Sequence, residues 1–257
     1  MTPVIRWPAE AIWEAVAPQL PGFTVEVLPQ IDSTNTELMR RARAGRLEPV
    51  LLVAEAQTAG RGRLGRAWHS APGDSLTFSL ALPLAPKDWS GLSLAVGVSV
   101  AESLHPAIGL KWPNDLWWHD RKLGGILIET AAFGAQRYVV IGVGVNIAPR
   151  DADGLSTPPV GLQEWLPAMD APQALMRLAG PLVQTVQAFE AFGFAPFAAR
   201  FNARDVLRDR AVTFSDGLQG TAHGVDATGA LLVHTATGMQ QVTSSEVSVR
   251  PRFAPKA

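Results

Sequence analysis

The residues best suited to chemistry lie in a short segment where glycine and arginine alternate. The segment runs from Gln57 to Trp68 and reads Gln-Thr-Ala-Gly-Arg-Gly-Arg-Leu-Gly-Arg-Ala-Trp. Glycine lets backbone N–H groups approach an anion, and the arginine guanidinium matches a carboxylate or a phosphate with two parallel donors. Together these residue types predict a mobile loop that binds anions.

A phosphate-binding loop, an RNA-binding tract and a solvated surface loop are the other interpretations of this segment. Gly60 and Gly65 have the spacing of a phosphate-binding loop, but Arg66 and Ala67 stand where Lys and Ser or Thr are required, which excludes that motif. An RNA-binding arginine–glycine tract is normally longer and lies in a disordered tail. On composition alone, a solvated surface loop and nucleic-acid binding stay open as alternatives.

A second cluster of charged residues follows further along the chain. It reads Lys-Trp-Pro-Asn-Asp from Lys111 and Arg-Lys-Leu-Gly-Gly from Arg121. Because proline disfavours the helical conformation of the preceding residue, we expect Trp112 to be extended and a bend to follow it. The carboxylate of Asp115 is then available to a cation or a proton, and Lys122 can point into a cleft beside the sheet. An ordinary hairpin with a charged turn is the competing interpretation.

Two smaller clusters carry small or polar residues. Ser33, Thr34 and Asn35 place hydroxyl and amide groups at the predicted start of a helix, where they suit a polar uncharged ligand or, with Thr34 as the cap, simply begin the helix. The run Gly-Val-Gly-Val-Asn at 142–146 permits the close approach of a ligand to a strand or marks a β-bulge. The five histidines show no metal-binding spacing, so we predict no metal site.

The elements that must position these residues alternate between strands and helices. Apolar residues at every second position from Leu76 to Leu82 predict a strand. The capping-box pattern from Thr34 to Glu37 predicts a helix that Gly45 ends. Further strands are predicted at 25–28, 50–54, 124–129 and 138–147, and further helices at 9–20, 90–104 and along 175–189, the last bent at a proline.

The C-terminal fifth of the chain has a different pattern. Short strands separated by turn signals are predicted at 212–214, 220–225, 230–233, 240–243 and 247–249. They indicate a small barrel or sandwich, whose core is too small to be stable alone. We therefore expect it to pack on the first domain, with domains at 1–207 and 208–257.

Composition excludes several classes of protein. The 257 residues are 47% hydrophobic and 18% charged, which is typical of a globular protein. The absence of cysteine excludes disulfides, thiolate metal sites and a cysteine nucleophile. A net charge of −1 argues against a general electrostatic attraction to nucleic acid. With no signal peptide and no apolar run of membrane-spanning length, we expect a soluble cytoplasmic protein without a membrane partner.

Taken in this order, the clusters resemble those of biotin protein ligases. The matching residues are 32–35, 54–68, 111–115, 121–129 and 142–146, and the C-terminal strand pattern resembles the SH3-like domain of that family. The resemblance implies an α/β (α+β) fold: a mixed sheet with packed helices, similar to class II aminoacyl-tRNA synthetases, plus a small SH3-like barrel. Since only about 30 residues precede Asp32, we expect the ligase-only form without an N-terminal DNA-binding domain.

The resemblance also implies a reaction in two steps. The carboxylate of biotin attacks the α-phosphate of ATP, giving biotinyl-5′-AMP and pyrophosphate. A lysine of the biotin carboxyl carrier protein, a subunit of acetyl-CoA carboxylase, then attacks the mixed anhydride. Mg²⁺ is expected with ATP, and the protein is expected to act without DNA, as a monomer or a homodimer.

Each matching residue takes a role from the resemblance. Lys122 is the central cation, Asp115 orients or deprotonates the incoming lysine, and Arg63 is the third catalytic residue. The residues expected to bind biotin are Ser33, Thr34, Asn35, Gln57, Gly60, Arg61, Gly62, Arg63, Lys122 and Gly125. Those expected to bind ATP are Arg66, Trp68, Lys111, Asn114 and Asn146. Trp68, Trp112 and Leu123 are candidates for an apolar wall, and Trp165 for stacking on adenine.

Two rival functions stay open. A lipoate or octanoyl ligase shares the fold and a lysine, but lacks the combination of Gly-Arg-Gly-Arg with Lys-Trp-Pro-Asn-Asp. A nucleic-acid-binding protein would use the arginine loop and the small barrel, and the balanced charge argues against it. Pyrophosphate release from ATP with biotin, with lipoate or with neither separates the three.

Overall fold

In the computed structural model, which describes residues 5–151, 157–243 and 249–251, seven strands form one mixed sheet. They are β1 Thr24–Ile31, β2 Val50–Gln57, β3 Ser75–Pro83, β4 Gly109–Lys111, β5 Asp115–Trp118, β6 Arg121–Phe133 and β7 Gln136–Asn146. Their order is β1-β2-β3-β7-β6-β5-β4. β1 and β2 run parallel, and each other neighbouring pair is antiparallel.

Helices cover both faces of this sheet. They are α1 Ala9–Val16, α2 Thr34–Arg43, α3 Leu92–Leu104, α4 Ala171–Phe192 and α5 Ala195–Asn202. Residues of α1, α3 and α4 share one hydrophobic cluster with the face that carries Phe78 and Val143. α2 packs Leu38 and Met39 on the opposite face, against Leu52. Among the described residues, no helix combines the length and the apolar character needed to cross a membrane.

The helix predicted to be capped by Thr34 is capped one residue earlier. Ser33 is the N-cap, and its hydroxyl accepts a hydrogen bond from the backbone N–H of Thr36 at 3.4 Å. The prediction of Thr34 as the cap was wrong because the Thr34 side chain contacts Gln57 and Ser79 instead. As predicted, Gly45 follows the helix, in a left-handed conformation with φ of 81°.

Three elements were not predicted, because each is short. β4 has three residues, β5 has four and α5 has eight, too few for a clear periodicity. α4 continues as one helix of 22 residues through Pro181. The helix predicted over 9–20 ends earlier, at Val16.

The C-terminal strands form a separate antiparallel sheet. They are β8 Ala211–Phe214, β9 Gln219–Val225, β10 Leu231–Thr235, β11 Gly238–Val242 and β12 Val249–Pro251, in the order β11-β10-β9-β8-β12. The first four predicted strands are confirmed. Of the predicted strand at 247–249, residues 247 and 248 lie outside the described residues.

This second sheet packs directly on the rest of the protein. The indole nitrogen of Trp112 donates to the carbonyl oxygen of Gly229 at 3.1 Å. The amide of Asn202, at the end of α5, bonds to the carbonyl and the N–H of Val225 at 2.9 and 2.8 Å. One hydrophobic cluster includes side chains such as Phe214 and Leu231 together with the core of the large sheet. The small C-terminal core is therefore completed by the first domain, as expected.

Candidate active site

A cavity of about 1010 Å³ lies on the sheet face that α2 covers only in part. Beyond the N-terminus of α2, this face carries small or polar residues, among them Thr77, Gly125, Gly142 and Gly144. The Gly-Arg loop lies across it, so that Arg61, Gly62, Arg63, Arg66 and Trp68 also line the cavity. Its volume is at the upper end of the usual range for small-molecule sites, about 300–1,000 Å³.

The two glycines of β7 allow side chains of the protein itself to approach the sheet. A Cβ atom on Gly142 would collide with the amide of Asn35, and one on Gly144 would lie 2.5 Å from Cε2 of Trp68. The pairing of β7 with both neighbours is regular here, so these glycines mark no β-bulge. Because they have no side chains, they leave room for Asn35 and Trp68 to lie against the sheet.

The centre of the cavity holds one carboxylate between two ammonium groups. Nζ of Lys122 lies 2.6 Å from Oδ1 of Asp115, and Nζ of Lys111 lies 3.5 Å from Oδ2. Lys111 also lies over the ring of Trp117, with Nζ 5.4 Å from the ring centroid. Because the cluster contains two positive charges and one negative charge, it has a net positive charge and attracts further anions.

A β-bulge brings Lys122 into this cluster. In a regular strand, residues three apart point to opposite faces, which would separate Lys122 from Gly125. The pairing of β5 with β6 shifts register here, so that Leu123 has no partner on β5. Lys122 therefore reaches Asp115, which is itself paired with Gly125.

The bend predicted at Asn114-Asp115 is present, since residues 112–114 form the turn between β4 and β5, in which Lys111 pairs with Asp115. Asp115 begins β5, and the tight turn of the β5–β6 hairpin is formed by His119 and Asp120, both with positive φ (45° and 60°). The hairpin proposed as an alternative is therefore present. It is also the element that carries the charged cluster, so the two interpretations are compatible.

Burial and charge act in opposite directions on the ionisable groups of the cavity. Burial alone would raise the pKa of Asp115, but the ammonium groups of Lys122 and Lys111 outweigh burial and lower the pKa. Burial, aided by Lys122, lowers the pKa of Lys111 despite the nearby Asp115. Burial also lowers the pKa of the Arg63 guanidinium. Asp115 is therefore an ionised carboxylate at neutral pH.

The arginines of the Gly-Arg loop point in different directions. Arg63 lies in a short 3₁₀ turn, and its Nη1 is 3.4 Å from Oδ1 of Asn114. Arg61 turns towards β6, where Nη2 lies 3.2 Å from both carboxylate oxygens of Glu129. Asn114 in turn donates to the carbonyl oxygen of Ile126 at 2.8 Å. The loop is thus connected to β6 at two points.

Gly60 belongs to the Gly-Arg loop but does not line the cavity. Its carbonyl oxygen accepts the backbone N–H of Trp68 at 2.9 Å, which closes the loop. A Cβ atom on Gly60 would collide with the carbonyl oxygen of Trp68. Gly60 therefore has a structural role in the turn, and its expected contact with biotin stays a prediction.

Of the three residues predicted to form an apolar wall, only one lines the cavity. Trp68 lines the cavity, but Trp112 and Leu123 are fully buried in the core and do not. Trp165 stacks on Trp118 with ring centroids 4.1 Å apart and planes within 2°, and it borders a different cleft. The aromatic character of these residues is used for packing.

The polar cluster predicted at the start of α2 borders the cavity. Ser33, Thr34, Asn35 and Gln57 all line it. The backbone N–H of Thr34 donates to Oε1 of Gln57 at 2.7 Å.

Two neighbouring residues, Ser79 on β3 and Glu129 on β6, were missed by the sequence analysis. Ser79 lies within 2.7 Å of Thr34 Oγ1 and 2.6 Å of Asn35 Oδ1. The only signal for Ser79 in the sequence is that hydroxyl residues occupy alternate positions of this strand, at Ser75, Thr77 and Ser79.

Asn146 links three chain segments beside the charged cluster. Its Nδ2 donates to the carbonyl oxygens of Lys122 and Val160, each at 3.2 Å, and its Oδ1 accepts from Arg150 at 2.8 Å. The amide expected to bind nucleotide is thus bonded to protein groups. The cation that it orients, Arg150, lines the cavity and was not predicted. Arg250 of β12, which brings the C-terminal sheet into the cavity lining, was not predicted either.

Comparison with known proteins agrees with this architecture. The Biotin/lipoate A/B protein ligase family matches residues 27–146, and the Biotin protein ligase C terminal domain matches residues 209–250. The bifunctional ligase/repressor BirA of Escherichia coli (strain K12) is 38% identical over 249 residues, which covers 90% of this chain and 76% of that one. The biotin--[acetyl-CoA-carboxylase] ligase of Paracoccus denitrificans is 31% identical over 240 residues, which covers 86% and 98%.

A solved structure extends the likeness to three dimensions. Biotin protein ligase from Aquifex aeolicus, in complex with biotin and ATP, has a TM-score of 0.77 at 26% identity and covers 89% of this chain and 99% of that one. These matches span both sheets and the cavity that they line, which makes the protein a ligase. More narrowly, the chain belongs to the biotin protein ligase family, and the resemblance inferred from its sequence is confirmed.

Proposed function

We propose that this protein activates biotin with ATP and then transfers it to a lysine of a carrier protein. The biotin carboxylate attacks the α-phosphorus of ATP and expels pyrophosphate, which leaves biotinyl-5′-AMP. The neutral amine of the carrier lysine then attacks the acyl carbon, the amide forms, and AMP leaves while the amine gives up a proton. The names of the relatives and the ligands of the Aquifex structure support biotin, ATP and a carrier of acetyl-CoA carboxylase as the reactants.

The observation that carries this proposal is the cluster of Lys122, Asp115 and Lys111. Two unit negative charges 4 Å apart repel by about 4 kcal/mol near a protein surface, so an attack of carboxylate on phosphate needs cations between them. Lys122 lies 2.6 Å from Asp115, at the centre of the cavity, and carries the charge best placed to bridge both anions. Pre-arranged donors of this kind stabilise developing negative charge without reorganisation during the reaction.

Asp115 is better suited to orienting groups than to removing a proton. The neighbouring lysines lower the pKa of Asp115, and a carboxylate with a low pKa is a weak base. We therefore assign it the positioning of Lys122 and of the incoming lysine amine. Its carboxylate is hydrogen-bonded to Lys122, so the same group fixes the cation used in the first step.

The two ends of the cavity suit the two substrates. The neutral polar ring of biotin fits the cluster of Ser33, Thr34, Asn35 and Gln57, with Arg61 and Gly62 of the loop over it and Gly125 beside the carboxylate. The phosphates fit the cationic side chains Arg63, Arg66, Lys111, Arg150 and Arg250, with Asn114 and Asn146 orienting two of these arginines. Trp68 supplies the apolar wall.

Magnesium enters with the phosphates of ATP in this scheme. The described residues contain no group of three or more histidine, cysteine, aspartate or glutamate side chains arranged for a metal. We therefore assign Mg²⁺ no protein ligands.

The finer architecture is proposed from the same evidence. We assign the large sheet with its helices to the class II synthetase-like arrangement and the C-terminal sheet to the SH3-like type, divided between residues 207 and 208. Two separate sheets and a C-terminal family match beginning at residue 209 support the division. A cytoplasmic location, a monomeric or homodimeric state and action without DNA stay predictions.

Pyrophosphate release tests the proposed function directly. The purified protein is incubated with ATP and Mg²⁺ and with biotin, lipoate or neither, and the carrier domain is then added and examined by mass spectrometry. We expect release with biotin only, and one biotinyl group on the carrier. A carrier with its target lysine changed to arginine is the matched control. Release with lipoate alone would indicate a lipoate ligase, and no release with either acid would contradict both.

A further inference from the structure

The backbone of Lys122 is held by a chain segment outside the large sheet. β6 pairs with β7 only from Gly124 onwards, so Lys122 lies beyond the end of β7. Residues 157–165, here called the strap, take the place of β7 beside it. The N–H of Lys122 donates to the carbonyl oxygen of Pro158 at 2.8 Å, and its carbonyl oxygen accepts the N–H of Val160 at 2.9 Å. Both polar groups of the Lys122 backbone are therefore bonded to the strap.

Arg121, the residue before Lys122, joins two parts of the strap. Its Nε donates to the carbonyl oxygen of Pro159 at 3.0 Å, and its two terminal nitrogens donate to the carboxylate oxygens of Glu164 at 2.7 and 2.6 Å. A forked pair of this kind fixes the orientation of its partners as well as their distance. The hydrogen bonds from Arg121 lower the pKa of Glu164, so the pair is charged at neutral pH. One guanidinium thus connects the extended part of the strap to the 3₁₀ turn that follows it.

The strap links the hairpin that carries Lys122 to the core of the protein. Val160 and Leu162 are fully buried in the main hydrophobic cluster. At the end of the strap, Trp165 stacks on Trp118 of β5. The end of the β5–β6 hairpin, which β7 does not reach, is therefore supported by the strap.

The ion pair lies outside the cavity. Successive side chains of a strand point to opposite faces, so Arg121 points away from the cavity that Lys122 faces. Neither Arg121 nor Glu164 lines the cavity, whereas Lys122 does. An effect of the pair on the reaction must therefore pass through the residues that it holds in place.

We propose that Arg121 and Glu164 are positioning residues, which hold the strap on the backbone of Lys122 and thereby fix its ammonium group beside Asp115. This inference rests on the proposed function, in which Lys122 bridges the biotin carboxylate and the α-phosphate of ATP. A bridging cation has to contact both anions at once, and a displacement of about 1 Å can cost ~100-fold in rate. Exposed ion pairs contribute little to stability, so the rate of adenylation is where this pair matters.

Glu164→Gln tests the role of the pair. The substitution keeps the size of the side chain but replaces one acceptor oxygen by an amide nitrogen, which cannot accept from Arg121. We expect biotin-dependent pyrophosphate exchange, at saturating biotin and ATP, to slow at least ~10-fold. A rate within about twofold of the unmodified protein would overturn the proposal.

The same substitution in a Lys122→Ala protein distinguishes positioning from a general structural role. If Glu164 acts through Lys122, removal of the lysine leaves nothing to position. Glu164→Gln should then change the residual exchange of labelled pyrophosphate less than about twofold. A loss by the same factor in both proteins would contradict the proposal, because the effect would not pass through Lys122.

Glu102→Gln is the matched control. Glu102 on α3 accepts a similar fork from Arg200 on α5, and the side chains of the two pairs are about equally exposed. Neither residue lines the cavity. We expect exchange within about twofold of the unmodified protein, with a thermal midpoint similar to that of Glu164→Gln. Equal slowing by both variants would show that the loss of any such pair suffices, and the assignment would be wrong.

Biotin-dependent exchange by the unmodified protein is the reference for all these variants. Its absence would overturn the proposed function and the positioning of a bridging lysine together. Exchange by the unmodified protein with an equal rate in Glu164→Gln would overturn the positioning alone.

Discussion

The indole of Trp68 lies against Gly144, so that a Cβ atom at Gly144 would be 2.5 Å from the ring. Trp68 also closes the Gly-Arg loop by its hydrogen bond to Gly60. The contact between this ring and Gly144 is therefore one of the points at which the loop meets the sheet.

Gly144→Ala is expected to displace Trp68 and with it the loop. Overpacking of this kind costs about 1–3 kcal/mol, and the displaced wall should slow adenylation at least ~10-fold. Adenylation rate and thermal unfolding are measured together. Gly180→Ala, on α4 with no atom within 4 Å of the new methyl group, should instead stabilise the protein by about 0.5–1 kcal/mol with normal activity. Normal activity in Gly144→Ala would show that Trp68 needs no fixed position.

Lys122→Ala is expected to slow biotin-dependent pyrophosphate exchange by at least ~100-fold, since it removes the central cation. The comparison is Lys87→Ala, which removes an exposed lysine from the segment after β3. The exchange of labelled pyrophosphate into ATP reports the first step alone. A folded Lys122→Ala protein with a normal exchange rate would exclude the bridging role.

Asp115→Asn is expected to impair transfer from preformed biotinyl-5′-AMP at least as much as it impairs adenylation. The substitution keeps the shape of the side chain but removes the charge that orients Lys122 and the incoming amine. Because the pKa of Asp115 is lowered, wild-type transfer should keep its dependence on this carboxylate well below neutral pH. Single-turnover transfer over a pH series checks both points, and transfer that is unaffected by the substitution would remove Asp115 from the second step.

Arg63→Ala is expected to let biotinyl-5′-AMP escape before transfer. The loop around Arg63 covers the cavity, and a reactive anhydride is retained only if its anionic phosphate is held. We expect biotin on lysines of a bystander protein such as serum albumin, detected by avidin blotting. Arg46→Ala, which removes an exposed arginine beyond α2, should give none. Equal bystander labelling by both variants would argue against retention by the loop.

Asp205→Asn is expected to stabilise the protein at pH 8. Burial raises the pKa of Asp205 to about 6, so the ionised form is disfavoured in the folded state. Its Oδ1 accepts the Leu207 N–H at 2.9 Å, while its buried Oδ2 has no partner among the described residues. We expect a gain of about 1–2 kcal/mol above pH 6 after allowance for partial exposure.

This gain should shrink as the pH falls from about 6 towards 4. Over that range the folded wild-type protein takes up the proton while the unfolded chain does not, so wild-type stability rises to meet the variant. Urea unfolding at several pH values measures both. A gain that does not depend on pH would mean that the charge of Asp205 is not its cause.

The sequence indicated which residues line the cavity more fully than it indicated how the fold brings them together. Lys122, Asp115 and the Gly-Arg loop stand out because their residue types are unusual for their position. The bulge at Leu123 that brings Lys122 to Asp115 leaves no mark in a period-two pattern. The partners of Asn146 were equally hidden, because they depend on chain segments that meet only in the folded protein.

Packing also decided several assignments that residue type left open. Trp112, Trp165 and Leu123 are apolar enough for a ligand wall, yet each is used by the core or by another aromatic ring. Ser79 was overlooked because a serine in a strand is common, and its contacts with Thr34 and Asn35 arise only in the folded protein.

The cavity wall is assembled from chain segments far apart in sequence, from Ser33 at the N-cap of α2 to Arg250 on β12. A ribosome must therefore release nearly the whole of the described chain before β12 can pair with β8 and complete the enclosure. Nascent chains and proteolytic fragments that lack the last strand have no complete pocket in which to make a reactive acyl phosphate.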